Sequence, residues 1–425
     1  MYESDLKHPS KTLEEKLYTL YTLNRDKTID LSFRPPFLNL LNAFDNPHIK
    51  LPPVIHVAGT NGKGSIIATL KSIYEAAGYK VHTYTSPHLI RFNERIVLNG
   101  KQIDNESLES LIDEALDKNG GDSCTFFEIT TAIAFAAFAR TPADICLLEV
   151  GMGGRLDCTN IIPAAAASAT IINTIGLDHT EFLGDTYEFV ASEKAGIMKD
   201  HTPCIIGAQN NEDVYEVFER QAKKVGATLV QSAPHLDQYD PPALKGQHQI
   251  GNINTALTTI DTLQDQFPVT REQINQGLQS IHWPARMQKL PSKAYDLPDT
   301  TSIWLDGGHN EDAGKAIAEH LKSLKKDGKI AIILCMMKHK DPKNFVRTFI
   351  DQCDTLIATQ LPNEPLALKT SELSNAITAT PHLTANSFKD ALTLLKSDPP
   401  AHILITGSLY LAGHVLHDLE NSGHN

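Results

Sequence analysis

The chain has 425 residues, 41% apolar and 21% charged, which is enough for two globular cores and unlike a disordered or fibrous protein. Its 38 basic and 51 acidic side chains give a net charge of −13. That argues against a nucleic-acid backbone or an anionic membrane as partner, since both demand a surplus of Lys and Arg, whereas an anionic small molecule remains admissible through a few local cations and a metal.

The cysteines (Cys124, Cys146, Cys158, Cys204, Cys335, Cys353) form no CxxC pair, and several lie inside apolar runs. They read as reduced core residues of a cytoplasmic protein. The N-terminal MYESDLKHPSKTLEEK has no signal-like apolar stretch, and runs such as Ile133–Ala139 are too short to span a bilayer.

From about residue 50, short β-branched runs alternate with helical patterns. Val54–Gly59 reads as a strand, Ser65–Gly78 as a helix and Lys80–Thr85 as a strand. Leu108–Asp117 and Glu128–Arg140 follow as helices, Asp144–Val150 and Ser168–Ile175 as buried strands, and Tyr187–Met198 as a helix. Such alternation predicts a doubly wound, mostly parallel α/β sheet with its binding residues just past the carboxyl ends of the strands. The polar, Pro-containing stretch His282–Thr301 interrupts the pattern, and we place the domain boundary there, with residues 1–284 before it and 285–425 after. A second alternation then starts: strand Ser302–Leu305, helix Glu311–Leu324, strand Lys329–Met336, helix Pro342–Asp351, and strands Thr355–Thr359 and His402–Thr406. It predicts a smaller Rossmann-like C-terminal domain.

The segment HVAGTNGKGS runs straight from strand into helix. Glycines beside a lysine let backbone N–H groups approach an anion, and the helix N-terminus adds a favourable dipole. Gly59, Thr60, Asn61, Gly62, Lys63, Gly64 and Ser65 are therefore expected to cradle the phosphates of a nucleotide, with Lys63 meeting the β- and γ-phosphates. The match to the phosphate-loop pattern is imperfect. The glycine expected five residues before Gly62 is Val57, and the hydroxyl after the lysine comes one place late, at Ser65, behind Gly64. Ser86, Glu149 and His179 each fall at the end of an expected parallel strand, where they could hold magnesium against phosphates. A histidine hydrogen-bonded at a strand end explains His179 as readily.

HVAGTNGKGS, TSPHLIRFNERI, EVGMGGRLDCTN, GLDHTEFLG and SEKAGI, followed by GQHQIGNINTAL, WPARMQ, WLDGGHN and TGSLYLAG, resemble the ordered motifs of folylpolyglutamate synthases and dihydrofolate synthases. These enzymes belong to the superfamily of the Mur peptidoglycan ligases. The match runs from about residue 50 to residue 413, and the GTNGKG loop, TSPHL and NERI resemble the folate branch more than the Mur branch. The resemblance implies an ATP-dependent amide ligase that adds L-glutamate to dihydropteroate and to reduced folates, working as a cytoplasmic monomer. It implies two magnesium ions, one on Ser86 and Glu149 and one on Glu149 and His179, with Lys194 carbamylated into an anionic oxygen ligand. Asn252, Arg286, Asp306 and His309 are implied to meet ATP between the domains, and Lys63, Lys194 and His309 to serve catalysis. Phe127 would stack on a pterin and Asp157 would bond its edge, an acid in a Gly-rich turn having little packing purpose. A monofunctional folylpolyglutamate synthase, a phosphate-loop phosphotransferase and a Mur-type ligase remain the alternatives.

Overall fold

Val54–Ala58 (β1) and Ile145–Glu149 are buried at every position, as expected of central parallel strands covered on both faces. The computed structural model describes residues 10–23, 33–178, 180–378 and 380–423. They divide into two compact units, one built from Lys7–Leu244 and Gln249–Trp283, the other from Lys245–His248 and Pro284–Asn425.

The larger unit holds β1, β2 (Val81–Tyr84), β3 (Ile96–Leu98), β4 (Lys101–Gln102), β5 (Ile145–Glu149), β6 (Ala167–Ile172), β7 (Pro203–Ile206) and β8 (Thr228–Gln231). They form one sheet in the order β4-β3-β2-β5-β1-β6-β7-β8. The β2–β3 and β3–β4 pairs are antiparallel, and every other pair is parallel. One core joins the helix Lys63–Ala76, through Ile66, Leu70 and Ile73, to Ile253, Leu257 and Leu278 of two later helices. Another packs the apolar helix Phe126–Arg140 beside Leu13, Leu17 and Phe37. Because β1 lies between β5 and β6 while the chain leaves it for β2, the loops after β1, β2, β5 and β6 open on one edge around the point where strand order reverses.

The smaller unit holds β9 (Gln288–Leu290), β10 (Ser302–Leu305), β11 (Ile330–Leu334), β12 (Thr355–Ala358), β13 (Leu383–Thr384) and β14 (His402–Thr406). Their order is β13-β12-β11-β14-β10-β9, and β9 alone runs antiparallel. The stretch read as an interruption, His282–Thr301, thus contributes an edge strand.

Three expected elements end three or more residues early. The strand Ser168–Ile175 stops at Ile172, releasing Asn173 into the loop. The helix Tyr187–Met198 stops at Ala195, and Gly196 beyond it lies against Arg155 so closely that a Cβ would meet Arg155 Cβ at 2.3 Å. The helix Pro342–Asp351 stops at Arg347, where Phe349 adopts φ −128° to pack edge-on against Phe345, 5.1 Å away. Among the described residues, no helix is long and apolar enough to cross a membrane.

Candidate active site

The helix Lys63–Ala76 begins at Gly62, which takes φ +82° and supplies no side-chain cap. Helices elsewhere in the same unit are closed by Asp104, Thr125, Thr186 and Thr270, whose side chains accept from the first turn. The first N–H groups of the Lys63 helix are therefore left to an external anion. Ser65 is 1% exposed, and its hydroxyl finds no hydrogen-bond partner. Such an orphan in a loop of open N–H donors fits a bound phosphate or its metal. Lys63 Nζ folds back on the loop, donating to the carbonyl of Gly59 at 3.1 Å and of Thr60 at 3.5 Å, and stands 3.9 Å from Glu149 Oε1.

The loop is held from behind by Asn252, which the resemblance implies as an ATP contact, and by Asn173, Gln249 and Trp283, to which the sequence assigns no role. Asn173 Nδ2 donates to Asn61 O (2.9 Å) and to Asn252 Oδ1 (2.8 Å), and Asn252 Nδ2 donates to Gln249 Oε1 (2.8 Å). A Cβ on Gly62 would come within 2.2 Å of Asn252 Oδ1, so only glycine admits this buried amide network. A Cβ on Gly64 would lie 2.3 Å from Trp283 Cζ2, and the indole therefore occupies the space that the usual hydroxyl residue needs. Thr60 Oγ1 is committed to the Gly176 backbone, donating to its O (2.9 Å) and accepting from its N–H (3.0 Å). Asn173 lay inside the expected strand Ser168–Ile175 with no role of its own, and Trp283 entered only as the first residue of the WPARMQ motif.

The carboxyl ends of β2 and β5 bring Ser86 and Glu149 together, the Ser86 N–H donating to Glu149 Oε2 at 2.9 Å. Their oxygen donors suit a hard cation such as magnesium. Among the described residues no group of three or more His, Cys, Asp or Glu side chains could hold a metal, and His179 lies outside those residues. Lys194 is 5% exposed. Burial first, then the charge of Lys63, hold its amine down to about 7, against the opposing pull of Asp178, Asp157 and Glu193.

Asp157 needs a correction. It is 4% exposed and has a clear packing purpose. Its Oδ2 accepts from Met152 N (2.9 Å), and its Oδ1 accepts from Thr159 N (2.9 Å) and from the Thr159 hydroxyl. That hydroxyl in turn accepts from His56 Nε2 (2.8 Å), whose ring burial keeps neutral, down to about 3. Burial pushes the Asp157 carboxyl up. The carboxylate pins the GRLD turn to β1 and to Met152. Phe127 is half-buried, stacks on Tyr84 with centroids 6.2 Å apart, and covers Gly151.

In the smaller unit, Arg286 sits between Ala285 (φ +56°) and Met287 (φ +44°), two non-glycine residues in the left-handed region. Strain of this kind persists only where the surroundings enforce it. Asp306 supplies much of that enforcement: its Oδ2 accepts from Met287 N (2.9 Å) and its Oδ1 from Gly308 N (2.7 Å), while Gly307 N donates to Ala285 O (3.0 Å). Asp306 does not cap the following helix; Asn310 does, accepting from Ala313 N at 3.0 Å. His309 Nδ1 lies 2.9 Å from Gly307 O, which assigns the proton to Nδ1 in the neutral ring.

Two Rossmann-like units, one with an open phosphate loop beside a strand-end carboxylate, define a nucleotide-binding α/β protein. The profile of the Mur ligase middle domain matches residues 57–254, and that of the dihydrofolate synthetase C-terminal domain matches residues 292–418. The chain is 31% identical to the folylpolyglutamate synthase of Lacticaseibacillus casei over 413 residues, 89% of this chain and 92% of that one. It superposes on E. coli FolC, solved in complex with DHPP and ADP, with a TM-score of 0.84 and 28% identity over 97% and 98% of the two chains. The bifunctional folylpolyglutamate synthase/dihydrofolate synthase of Yersinia pestis, solved with AMPPNP and a Mn ion, gives a TM-score of 0.84 and 26% identity over 97% of this chain and 98% of that one. The chain belongs to the dihydrofolate synthase/folylpolyglutamate synthase family of the Mur ligase superfamily, whose members are ATP-dependent ligases.

Proposed function

We propose that this chain joins the amine of L-glutamate to the carboxylate of dihydropteroate, and to that of folates already carrying glutamate, at the cost of ATP. The observation that carries the reading is the phosphate loop, whose helix starts at a glycine with no side-chain cap and whose buried Ser65 hydroxyl is left without a partner. The Y. pestis and E. coli structures, bound to AMPPNP with Mn and to ADP with DHPP, support the same ligands here.

Lys63 and the open N–H groups hold the phosphates and aim the terminal phosphoryl group. A carboxylate oxygen of the acceptor attacks its phosphorus, the bond to the ADP oxygen breaks, and an acyl phosphate forms. The glutamate amine attacks the acyl carbon, the carbon–oxygen bond to phosphate breaks, and the amine loses a proton to a base. Magnesium, when bound, supplies charge neutralisation; Glu149 and Ser86, with His179 and a carbamylated Lys194, would hold it as one or two ions. The buried Lys194 amine, held down to about 7, offers the neutral form that carbamylation requires. Arg286, on its strained turn, brings positive charge to the transferring group, with Asn252, Asp306 and His309 around the nucleotide. Phe127 presents a ring face to the pterin.

ADP release, measured with glutamate plus dihydropteroate or tetrahydrofolate in turn, tests the reading. Turnover of both acceptors is expected. Failure with dihydropteroate alone removes the synthase half. Failure with tetrahydrofolate alone leaves a dihydrofolate synthetase, the second reading, which the profile matched at 292–418 favours. ATP turnover independent of glutamate would point to a phosphotransferase, and turnover only with a UDP-sugar peptide to a Mur-type ligase.

A further inference from the structure

The loops that leave the neighbouring strands β1 and β6 are fastened to each other residue by residue. Asn173 N donates to Ala58 O (2.9 Å) and Thr60 N to Thr174 O (3.0 Å), while Thr60 Oγ1 engages both backbone groups of Gly176. Asn173, 2% exposed, is the centre of this fastening. A Cβ on Gly59 would lie 2.9 Å from Asn173 Cβ, and a Cβ on Gly207 would lie 2.3 Å from Asn173 Oδ1. Gln209 holds the same stretch of backbone. Its Nε2 donates to Asn173 O (3.2 Å) and Gly207 O (2.8 Å), and its Oε1 accepts from Ile175 N (2.9 Å).

The chemistry of the partners decides which way the buried amides face. Asn61 O is a backbone carbonyl and can only accept, so the Asn173 atom 2.9 Å from it is the donor Nδ2. The same Nδ2 carries a second hydrogen, which reaches Asn252 at 2.8 Å and selects Oδ1 as the atom that faces it. Asn252 Nδ2 is thereby turned the other way, where it donates one hydrogen to Gln249 Oε1 (2.8 Å) and keeps another. Turned round, Asn252 would set donor against donor at a site only 7% exposed. One carbonyl of the phosphate loop thus determines, through Asn173, what Asn252 offers on its far side. The amides lie against Gly62, where a Cβ would come within 2.2 Å of Asn252 Oδ1 and 2.4 Å of Asn173 Nδ2.

We propose that Asn173 is a positioning residue for the nucleotide, holding Asn252 with an N–H, rather than a carbonyl, turned towards an acceptor atom of the ligand. The proposal rests on the ligase reading, which sets Asn252 at ATP. Two kinds of acceptor share this chemistry, a phosphate oxygen and the N7 nitrogen of the purine.

Titration calorimetry of the full chain with MgATP tests it. Asn173→Ala is expected to weaken binding about tenfold, and Asn252→Ala at least as much. In the Asn252→Ala background, Asn173→Ala should change Kd by less than about twofold, because one side chain acts through the other. Gly207→Ala presses on Asn173 Oδ1 without removing the amide, and it should weaken binding too. Two probes locate the acceptor. With N7 as acceptor, 7-deaza-ATP binds the wild type as weakly as ATP binds Asn173→Ala, and the variant loses nothing further with it. With a phosphate oxygen as acceptor, 7-deaza-ATP binds the wild type as ATP does, and inorganic tripolyphosphate loses the same factor as ATP in the variant. An unchanged Kd in Asn173→Ala, with or without a lower Tm, makes the residue a brace of the fold and overturns the proposal. An equal loss in both backgrounds overturns it as well. A wild type that binds MgATP but forms no glutamyl amide sinks the ligase reading and still decides this one; a wild type that binds no MgATP removes both.

Discussion

The loop after β1 and the loop after β10 hold the same topological position, each joining a parallel strand to the helix that follows it. Their donors are used in opposite ways. After β10 the side chains close the account: Asn310 caps the helix, and Asp306 takes up the N–H groups of Met287 and Gly308. After β1 the helix N-terminus has no side-chain cap and Ser65 has no partner. One loop is a finished internal scaffold that holds Arg286 on a strained turn, and the other is an unfinished receptor. The difference teaches that position in a Rossmann-like unit marks where ligands bind, while the state of the backbone donors marks how each loop takes part, through open N–H groups after β1 and through side chains on a braced turn after β10.

Substitutions should separate the two loops, and Lys63→Ala should have the largest effect. It should lower kcat by about 10²–10³-fold with little change in Tm, since the side chain reaches only loop carbonyls and Glu149; a milder loss in ADP release would remove Lys63 from the phosphates. Asp306→Ala should behave oppositely, costing about 1–3 kcal/mol in denaturant unfolding because the buried Met287 N–H and the part-buried Gly308 N–H lose their acceptor. A variant with wild-type stability and weakened nucleotide binding would leave Asp306 its proposed place at the nucleotide and remove the bracing role.

If Lys194 is carbamylated as proposed, its amine, held down to about 7, should give a severalfold, bicarbonate-dependent gain of activity as pH rises through 7, and Lys194→Arg should lose that response. The sign for stability is the same. Between 7 and the ordinary 10.5, the unfolded chain binds a proton that the folded chain does not, so this group's contribution rises with pH across that window. Ser65→Ala should lower activity about tenfold while leaving the unfolding free energy unchanged or slightly raised, because the lost hydroxyl was unsatisfied. Asn310→Ala should cost about 1 kcal/mol of stability and leave turnover intact, the smallest effect.

Several elements were readable to the residue. Ser302–Leu305, Glu311–Leu324 and His402–Thr406 stand as expected, because each is a clean apolar run or an amphipathic run with an Asn cap. β3, β4 and β9 escaped, being two or three residues long and set among polar neighbours. The phosphate loop was visible as a local pattern, and Glu149 beside Ser86 followed from strand ends. What supports the loop was not. Asn173 meets Asn252 across 79 residues of chain, and Asp157 finds its partner chain through His56, 103 residues from Thr159. Contacts of that separation leave no trace in spacing, so the packing role of Asp157 is invisible in the sequence, where it reads only as a contact to a pterin edge.

Trp283 ends the larger unit's share of the chain and stands against Gly64. The consequence is historical as well as structural. A lineage cannot move from this loop to one with a hydroxyl directly after the lysine by a single replacement at position 64, since the first step drives a side chain into the indole. The residue at 283 has to shrink beforehand, at some loss of core packing, and only then does the other change become tolerable. The two positions are locked in order as well as in space, which makes this phosphate loop a form that drift alone seldom leaves.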